Sequence, residues 1–363
     1  MIKATDLQQV QLKSRDESSR RDRSAPNFNI GSEFSKQREE TLRDYFFSTG
    51  LDRWYESLKD ESFPTEFVAM TREEGQAIVS HWERLFKDRS SSSDGDAELP
   101  TFEVPASLIG LRKRIDDVIG SLSPEAGVFV KLTTRSPKDS HVAFAKARRA
   151  FVSKLPSLGD NPSANNRLIL LAEVVIQSLR VRSGEEAISL LVSSTRVGED
   201  LEYALNPEND DFEKCTCLVV RKWVDIPLWA EFRGFVWDGK LTSIGQYNHP
   251  VRFPQLIEHK ERIRSDLEKF FATVKDRIPL DRYIVDFAWT EGRVYLIEVN
   301  PFDGEVVFPA STGLWSWVDD REHMMKGALE LRIREAELEA KALKSSIEPE
   351  WRSVVFPSAM ATH

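Results

Sequence analysis

Hydrophobic positions follow two different periods along this chain, and the period changes near Cys215. Upstream, ASLIGLRKRIDDVIGSL has apolar side chains at helical spacing, namely Leu108, Leu111, Ile115, Ile119 and Leu122. The longer apolar run RLILLAEVVIQSL predicts a buried helix, and VFVKL predicts a strand. Downstream, four β-rich runs surround one predicted helix, IEHKERIRSDLEKFFATVKD, and these runs are CLVVRKW, AEFRGFVWDGKLTSIGQ, YIVDFAW and RVYLIEVN. WDGK and TEGR are turn signals of the kind that join antiparallel strands, so we predict an α+β protein with mainly antiparallel sheets.

Composition and pattern divide the chain into four segments. Residues 1–35 are rich in Ser, Arg, Asp and Lys with few large apolar side chains, so we predict a disordered tail. Residues 36–210 form a predicted N-terminal and central α/β lobe, which includes a Ser/Asp-rich loop at 88–100. Residues 211–318 form a predicted C-terminal lobe, and residues 319–363 a charged helix with a C-terminal tail.

The charged segment 319–344 predicts one helix because Glu330 and Arg334, and also Glu337 and Lys341, are four residues apart. Two interpretations stay open for it. The helix either packs by one stripe with its other faces in solvent, or it serves as a docking element for a partner.

Overall composition restricts the possible function. The 363 residues are 40% hydrophobic and 30% charged, which is enough apolar material for a packed core. The formal charge of −9 argues against general binding to nucleic acid, because such binding depends on clustered cations. We see no transmembrane run and no signal peptide, and we therefore expect a cytosolic protein. We also expect a monomer. Cys215 and Cys217 are too few for a disulfide framework or a closed zinc site.

The predicted hairpin YIVDFAWTEGRVYLIEVN carries two carboxylates and an amide. Side chains alternate along a strand, so Glu298 and Asn300 share one face, and a matching register would bring Asp286 beside them. The three could be solvent-facing positions of an antiparallel sheet. The strands, however, are apolar on both sides of the acids, and a buried carboxylate is costly unless it is paired or bound to metal. Oxygen ligands of this kind suit Mg²⁺, which keeps waters and phosphates as its other ligands.

Four basic residues lie in or beside predicted strands, namely Lys131, Arg221, Lys222 and Arg233. They could be edge-strand charges that point at water. Aimed into a cleft beside the acidic cluster, they would instead neutralise a polyphosphate through charge-assisted hydrogen bonds. The combination favours a nucleoside triphosphate with a divalent cation.

Five ordered motifs resemble the cell division cycle protein 123 family, namely VFVKLTTRSPKDS, LVVRKW, AEFRGFV, IVDFAW and LIEVNPF. The resemblance extends over roughly residues 50 to 320. It implies an ATP-grasp fold with ATP and Mg²⁺ bound between two α+β lobes. It also implies a cytosolic, ATP-dependent assembly chaperone that binds the gamma subunit of eukaryotic translation initiation factor 2, so that the alpha subunit can join.

The resemblance also implies roles for individual residues. Lys131 would contact the phosphates, and Ser136, Pro137 and Asp139 would belong to a flexible loop that covers them. The backbone from Arg221 through Lys222 to Trp223 would lie beside the adenine, and Glu231 and Arg233 would lie on the ribose-phosphate side. The metal ligands would be Asp286, Glu298 and Asn300.

The chain departs from the family pattern at several positions. Thr134 stands where the family commonly has an aromatic residue, and Tyr247 stands where a basic residue follows the glutamine. Glu298 replaces the usual aspartate, and Asp303 is inserted before Gly304. These changes leave nucleotide binding as the expectation but put the partner in question.

Two other functions remain as alternatives. An ATP-grasp carboxylate-amine ligase would use the same ATP contacts and add an anion clamp for its substrate, for which Arg252 is an unplaced candidate. A β-rich interaction module with incidental acids is the non-nucleotide alternative. His249 has no Cys or His at ligand spacing, so we expect a plain polar contact there.

Overall fold

The structure is a computed structural model, and it describes residues 47–90, 103–206, 212, 217–290, 292–302 and 311–356, with side chains described only to residue 85 in the first range. The predicted tail 1–35 lies outside these residues, as do Cys215, Asp303 and most of the Ser/Asp-rich loop at 88–100. The described strands are β1 (Thr65–Ala69), β2 (Val128–Leu132), β3 (Arg180–Val181), β4 (Cys217–Lys222), β5 (Glu231–Trp237), β6 (Lys240–Gln246), β7 (Tyr283–Thr290), β8 (Arg293–Pro301) and β9 (Glu330–Arg332). The described α-helices are α1 (Leu51–Leu58), α2 (Arg72–Ser90), α3 (Ile109–Leu122), α4 (His141–Lys154), α5 (Ala164–Gln177), α6 (Gly184–Val192), α7 (Thr195–Leu205), α8 (Pro254–Val274), α9 (Arg321–Lys326), α10 (Ala340–Ser345) and α11 (Pro349–Val355).

The first sheet has four strands in the order β1-β4-β2-β3, and every pairing in it is antiparallel. One face is covered by helices α2, α3, α6 and α7, whose apolar stripes form one core with the strands. The helical stripe predicted in α3 is confirmed, because Leu111, Ile115 and Ile119 are buried there. Alternation sends Lys131 of β2 and Arg221 of β4 away from those helices, toward the second sheet.

The second sheet has five strands in the order β8-β7-β5-β6-β9. Its pairings are antiparallel except for β6 with β9, which are parallel. Helix α8 packs on one face, where Tyr283, Val285 and Phe287 of β7 join a large apolar core. The Asp-Gly turn between β5 and β6 is confirmed, since Asp238 and Gly239 have φ angles of 49° and 73°, as a tight hairpin turn requires.

The run RLILLAEVVIQSL forms α5, as predicted, with Leu168, Leu171 and Val174 buried. The Ser163 hydroxyl caps the start of this helix by accepting a hydrogen bond from the backbone N–H of Asn166. The α+β class and the mainly antiparallel sheets are therefore both confirmed.

The predicted single helix at 319–344 is wrong. Helix α9 ends at Lys326, and β9 then pairs with Ser243–Gly245 before α10 begins at Ala340. Leu331 and Ile333 are buried two residues apart, which is the period of a strand. The predicted Glu330–Arg334 pair does not form: Glu330 binds Arg332 instead, and the Arg334 guanidinium donates to the carbonyl of His249.

Both sheets draw strands from more than one of the predicted segments, whose boundaries stay a prediction. Strand β4 lies in the middle of the first sheet, although residues 211–318 were expected to form the second lobe. Strand β9 adds residues 330–332 to the second sheet, beyond the proposed limit at 318. Within the described ranges, no helix has both the length and the apolar character needed to cross a bilayer.

Candidate functional site

The two carboxylates and the amide of the β7–β8 hairpin converge. Asp286 and Glu298 lie directly opposite each other, and a bulge follows immediately between Asp286 and Phe287. The side-chain amide nitrogen of Asn300, Nδ2, is 3.3 Å from Oδ2 of Asp286 and 3.5 Å from Oε2 of Glu298. The predicted convergence is confirmed, and β7 is buried on both faces as expected. Strand β8, which was expected to be buried in the same way, is only half-buried at several positions, including Glu298 and Asn300. Metal binding by these three residues stays a prediction.

Asp286 is paired within its own sheet. Arg233 lies opposite it on β5, and the guanidinium donates two hydrogen bonds of 2.8 Å to the two carboxylate oxygens. A third donor of Arg233 reaches the carbonyl of Ser311 at 3.0 Å. Burial alone would lower the pKa of Arg233, but the Asp286 carboxylate more than offsets this effect and raises it. The Arg233–Asp286 pair is therefore a fixed, bidentate ion pair.

Glu298 is paired with the other sheet. The Lys131 ammonium, on β2, donates to its Oε1 atom. Burial would raise the pKa of Glu298, but Lys131 and then Lys138 outweigh it and bring that pKa to about 2. Glu298 is therefore ionised at neutral pH. Burial lowers the pKa of Lys131, and Glu298 offsets part of that effect.

Two side chains beside the acidic cluster were not among the residues predicted to contact the ligand. Lys138, in the loop after β2, donates a hydrogen bond of 3.0 Å to the Tyr247 hydroxyl at the end of β6. Tyr247 also carries the Arg233 guanidinium 5.0 Å from its ring centre. Lys138 follows the serine and proline of the predicted loop, which was the available signal, whereas Tyr247 was noted only as a departure from the family.

Glu231 lies at the start of β5, beside this cluster. Burial raises its pKa to about 7, while Lys138 opposes the rise and Asp286 adds to it. Its backbone carbonyl accepts a hydrogen bond of 2.9 Å from the Tyr247 amide. Glu231 is thus the one glutamate of the described cluster whose charge changes near neutral pH.

Arg221 lies between the sheets, and its guanidinium is hydrogen-bonded to other residues of the protein. It donates to the hydroxyls of Ser62 and Thr65 and, at 2.6 Å, to the carbonyl of Ile297 on β8. Burial lowers its pKa to about 10. These bonds connect β4 and β1 to β8, so Arg221 ties the two sheets together.

The remaining predicted residues make no hydrogen bond to Asp286, Glu298 or Asn300 within the described part of the chain. Lys222 is exposed, and the Trp223 indole donates to Asp225 at 2.8 Å. Ser136 is buried in the loop after β2. Asp139 accepts hydrogen bonds from the Ser194 hydroxyl and the Arg196 amide, so its carboxylate supports the start of α7.

Three further residues singled out in the sequence, Thr134, Arg252 and His249, also have defined surroundings. The Thr134 hydroxyl donates to Asp200 at 2.6 Å, which joins the loop after β2 to α7. The Arg252 guanidinium donates to the carbonyl of Glu335. Burial lowers the pKa of His249, so its ring is neutral near pH 7.

A cleft of about 160 Å³ borders the cluster. It is lined by Arg233, Gly245, Gln246, Tyr247, His249, Ser311, Thr312 and Gly313. Pockets that bury a whole drug-sized ligand are usually ~300 Å³ or larger. The cleft therefore suits a phosphate group and its waters, and a complete nucleotide would need more room than the cleft now has.

The donor chemistry fits a hard cation. Two carboxylates and one amide offer oxygen ligands, which is the usual protein share of a Mg²⁺ site. The Asn300 amide would have to rotate so that its oxygen faces the carboxylates, because its nitrogen now does so. Within the described part of the chain, no group of three or more His, Cys, Asp or Glu side chains offers another metal site.

Comparisons with known proteins point in one direction. The sequence profile of the D123 family matches residues 172–358, just over half of the chain. A Xenopus laevis protein named translation initiation factor eIF2 assembly protein is 32% identical over 109 residues, which cover 30% of this chain and 31% of the relative. A Yarrowia lipolytica protein named cell division cycle protein 123 is 24% identical over 297 residues, which cover 76% of this chain and 67% of the relative.

The solved structure of Cdc123 from Schizosaccharomyces pombe superposes with a TM-score of 0.55. The match covers 80% of this chain and 98% of the solved one, at 19% sequence identity. At that identity the match shows a common fold and nothing more. The chain spans about a third of the length of the Xenopus relative that it matches.

Proposed function

The chain belongs to the D123 family, and from this premise we propose that it is an ATP- and Mg²⁺-binding protein of ATP-grasp architecture. Its proposed role is that of an assembly chaperone for eukaryotic translation initiation factor 2, acting through the gamma subunit. The observation that carries the proposal is the cluster of acids and cations in which Lys131 pairs with Glu298 between the two sheets and Arg233 pairs with Asp286 within one of them. Asp286 and Glu298 come from one sheet, and Lys131 comes from the other.

The residues of the cluster divide the work of binding. Asp286, Glu298 and Asn300 would hold the cation, which when bound supplies positive charge to bridge phosphate oxygens. Lys131 would exchange Glu298 for a phosphate oxygen, so it would remain paired throughout. Arg233 would hold Asp286 in place while its remaining donors face the cleft.

The assembly role is supported by the relatives. Several proteins that share the family are named as assembly proteins of translation initiation factor eIF2. A ligand that binds only the folded state stabilises it by mass action, so ATP bound between two lobes would fix their relative arrangement. Such a fixed surface is what a protein partner would recognise.

Arg252 bears on the ligase alternative. A carboxylate-amine ligase needs an anion clamp for its carboxylate substrate beside the phosphates. Arg252, the candidate for that clamp, donates to the Glu335 carbonyl and does not line the cleft. This placement favours the chaperone over the ligase.

Calorimetric titration with ATP, with and without Mg²⁺, tests nucleotide binding. Asp286→Asn removes the charge of the proposed metal ligand, and we expect it to abolish the effect of Mg²⁺ on ATP affinity. Asp238→Asn is the matched control, because Asp238 lies in the exposed turn between β5 and β6. Equal Mg²⁺ dependence in both variants would contradict the metal assignment.

Product analysis separates the two functions. The chaperone should bind ATP without sustained release of ADP, AMP or phosphate, whereas turnover stimulated by an amine or a carboxylate would favour the ligase. Capture of the purified gamma subunit by the immobilised chain, with and without Mg²⁺ and ATP, then tests the partner. Failure of capture in both conditions would contradict the chaperone role and leave nucleotide binding standing.

A further inference from the structure

Lys138 and Tyr247 make a contact between the two halves of the candidate site. Lys138 follows β2 of the first sheet, and Tyr247 follows β6 of the second, 109 residues later. The Lys138 ammonium is 3.0 Å from the Tyr247 hydroxyl and 5.3 Å from the ring centre. The short distance to the oxygen shows that the ammonium lies at the hydroxyl end of the ring, where it donates a hydrogen bond.

Tyr247 is held in place from two directions. Its amide donates to the carbonyl of Glu231 at 2.9 Å, which extends the β5–β6 pairing by one position. Its ring lies 5.0 Å from the Arg233 guanidinium, within the range of a cation–π contact. Arg233 in turn is fixed by both oxygens of Asp286. The hydroxyl is therefore presented from a rigid support.

The Lys138 ammonium acts electrostatically on the acidic cluster. Burial raises the pKa of Glu231 to about 7, and Lys138 is the cation that opposes this rise most strongly. Lys138 also follows Lys131 among the cations that hold Glu298 ionised against the effect of burial. An ammonium has three donors, and the Tyr247 hydroxyl occupies one of them. Among the described residues the ammonium has no other hydrogen-bond acceptor, so its other two donors can bind an anion in the cleft.

We propose that Tyr247 is a positioning residue, which holds the Lys138 ammonium at the edge of the cleft so that it contacts the anionic phosphate tail of the bound ligand. The inference rests on the proposed nucleotide function and adds a second lysine to its phosphate contacts. A free lysine loses rotamer entropy when it orders on a ligand. Docking on Tyr247 removes part of that loss before the ligand arrives, which is preorganisation.

The test is a double-mutant cycle measured by calorimetry with Mg²⁺ and ATP as the probe. Tyr247→Phe keeps the ring and removes the acceptor, and we expect the dissociation constant for ATP to rise about fivefold, because Lys138 must then be ordered by the ligand itself. Lys138→Met should raise it by about tenfold or more. The double variant should match Lys138→Met to within about twofold, because the hydroxyl acts only through the lysine.

Tyr283→Phe is the matched control. Tyr283 begins β7 in the same sheet, but its side chain packs in the core beneath α8, on the face of the sheet away from Asp286. Within the described residues its hydroxyl has no hydrogen-bond partner. We expect this variant to bind the probe as the wild type does. Thermal unfolding of each variant confirms that it folds before binding is compared.

Four results would overturn the inference. Tyr247→Phe could bind Mg²⁺ and ATP as tightly as the wild type, or its effect could multiply with that of Lys138→Met in the double variant. Tyr247→Phe could also weaken AMP, which lacks the phosphate tail, as much as ATP, and this result would indicate a structural role. If the wild type itself binds no ATP, the proposed function fails together with the inference, and that result is seen before any variant is made.

Discussion

The two carboxylates of the candidate site are paired in different ways, one within its sheet and one between sheets. Asp286 is held by Arg233 on the neighbouring strand of the five-stranded sheet. Glu298, directly opposite Asp286, is held by Lys131 from the four-stranded sheet. Separation of the sheets would leave the Arg233–Asp286 pair intact and would release Glu298. Asp286 is therefore the acid whose ion pair is fixed, and Glu298 is the acid that can exchange its partner.

The largest expected effect comes from breaking the pair within the sheet. Asp286→Ala leaves the Arg233 guanidinium buried without its carboxylate, and we expect the free energy of unfolding to fall by about 3–5 kcal/mol. Urea denaturation measures this change. The double variant Asp286→Ala, Arg233→Met should recover much of the loss, because it removes both charges together. A single variant within about 0.5 kcal/mol of the wild type would contradict the assignment of this pair.

The second-largest effect should come from removing a contact that joins the two sheets. Arg221→Met removes three hydrogen bonds, of which one reaches the carbonyl of Ile297 on β8. Leaving buried acceptors unsatisfied should cost about 2–3 kcal/mol of unfolding free energy in the same urea experiment. Arg282→Met is the control at an exposed arginine. Equal effects of the two variants would show that Arg221 does not join the sheets.

Glu231 should make stability depend on pH. Burial raises its pKa from 4.5 to about 7 in the folded state, so the folded state binds more protons than the unfolded state between these values. Its contribution is therefore fully present below pH 4.5 and is lost as the pH rises through 7. Solvent screening reduces the expected loss to about 1–2 kcal/mol.

The pH prediction is checked by comparing Glu231→Gln with the wild type at several pH values. The difference in unfolding free energy should change between pH 4.5 and 8. Glu66→Gln, at an exposed position of β1, should show a constant difference. A constant difference for Glu231→Gln as well would remove Glu231 from the set of groups that titrate near neutrality.

The smallest effect is expected for an exposed ion pair outside the site, which can be compared with the buried Arg233–Asp286 pair. Lys154 and Glu173 form an ion pair of 3.0 Å in which both side chains are about half exposed. We expect Lys154→Met to change the unfolding free energy by less than about 1 kcal/mol, because water already solvates both charges. A loss as large as that of Asp286→Ala would show that burial does not decide the value of an ion pair in this protein.

The hairpin of the site could be predicted from sequence because its information is local. Asp286, Glu298 and Asn300 lie within one hairpin, so strand alternation and one turn decide their relative positions. Lys131 was also found, since a lysine in an apolar strand requires a partner. The α+β class followed from the same local periods.

Contacts that depend on distant segments could not be predicted in the same way. Ser194, at the start of α7, lies 55 residues beyond Asp139, and its hydroxyl donates a hydrogen bond to the Asp139 carboxylate. The sequence of the loop around Asp139 does not indicate this contact. Tyr247 meets Lys138 only because the loop after β2 reaches the end of β6 in the folded protein. For β9, a local signal existed in the alternation of Leu331 and Ile333, but the charges four residues apart favoured a helix.

The parallel pairing of β9 with β6 has a consequence for biosynthesis. Translation delivers β5 to β8, with the whole acidic hairpin, well before Glu330–Arg332 leave the ribosome. Until then the hydrogen-bonding edge of β6 lacks its neighbour, and an open edge readily pairs with another chain. Nascent or prematurely terminated chains should therefore self-associate through β6, and this hazard ends only when the polypeptide beyond β8 has been made.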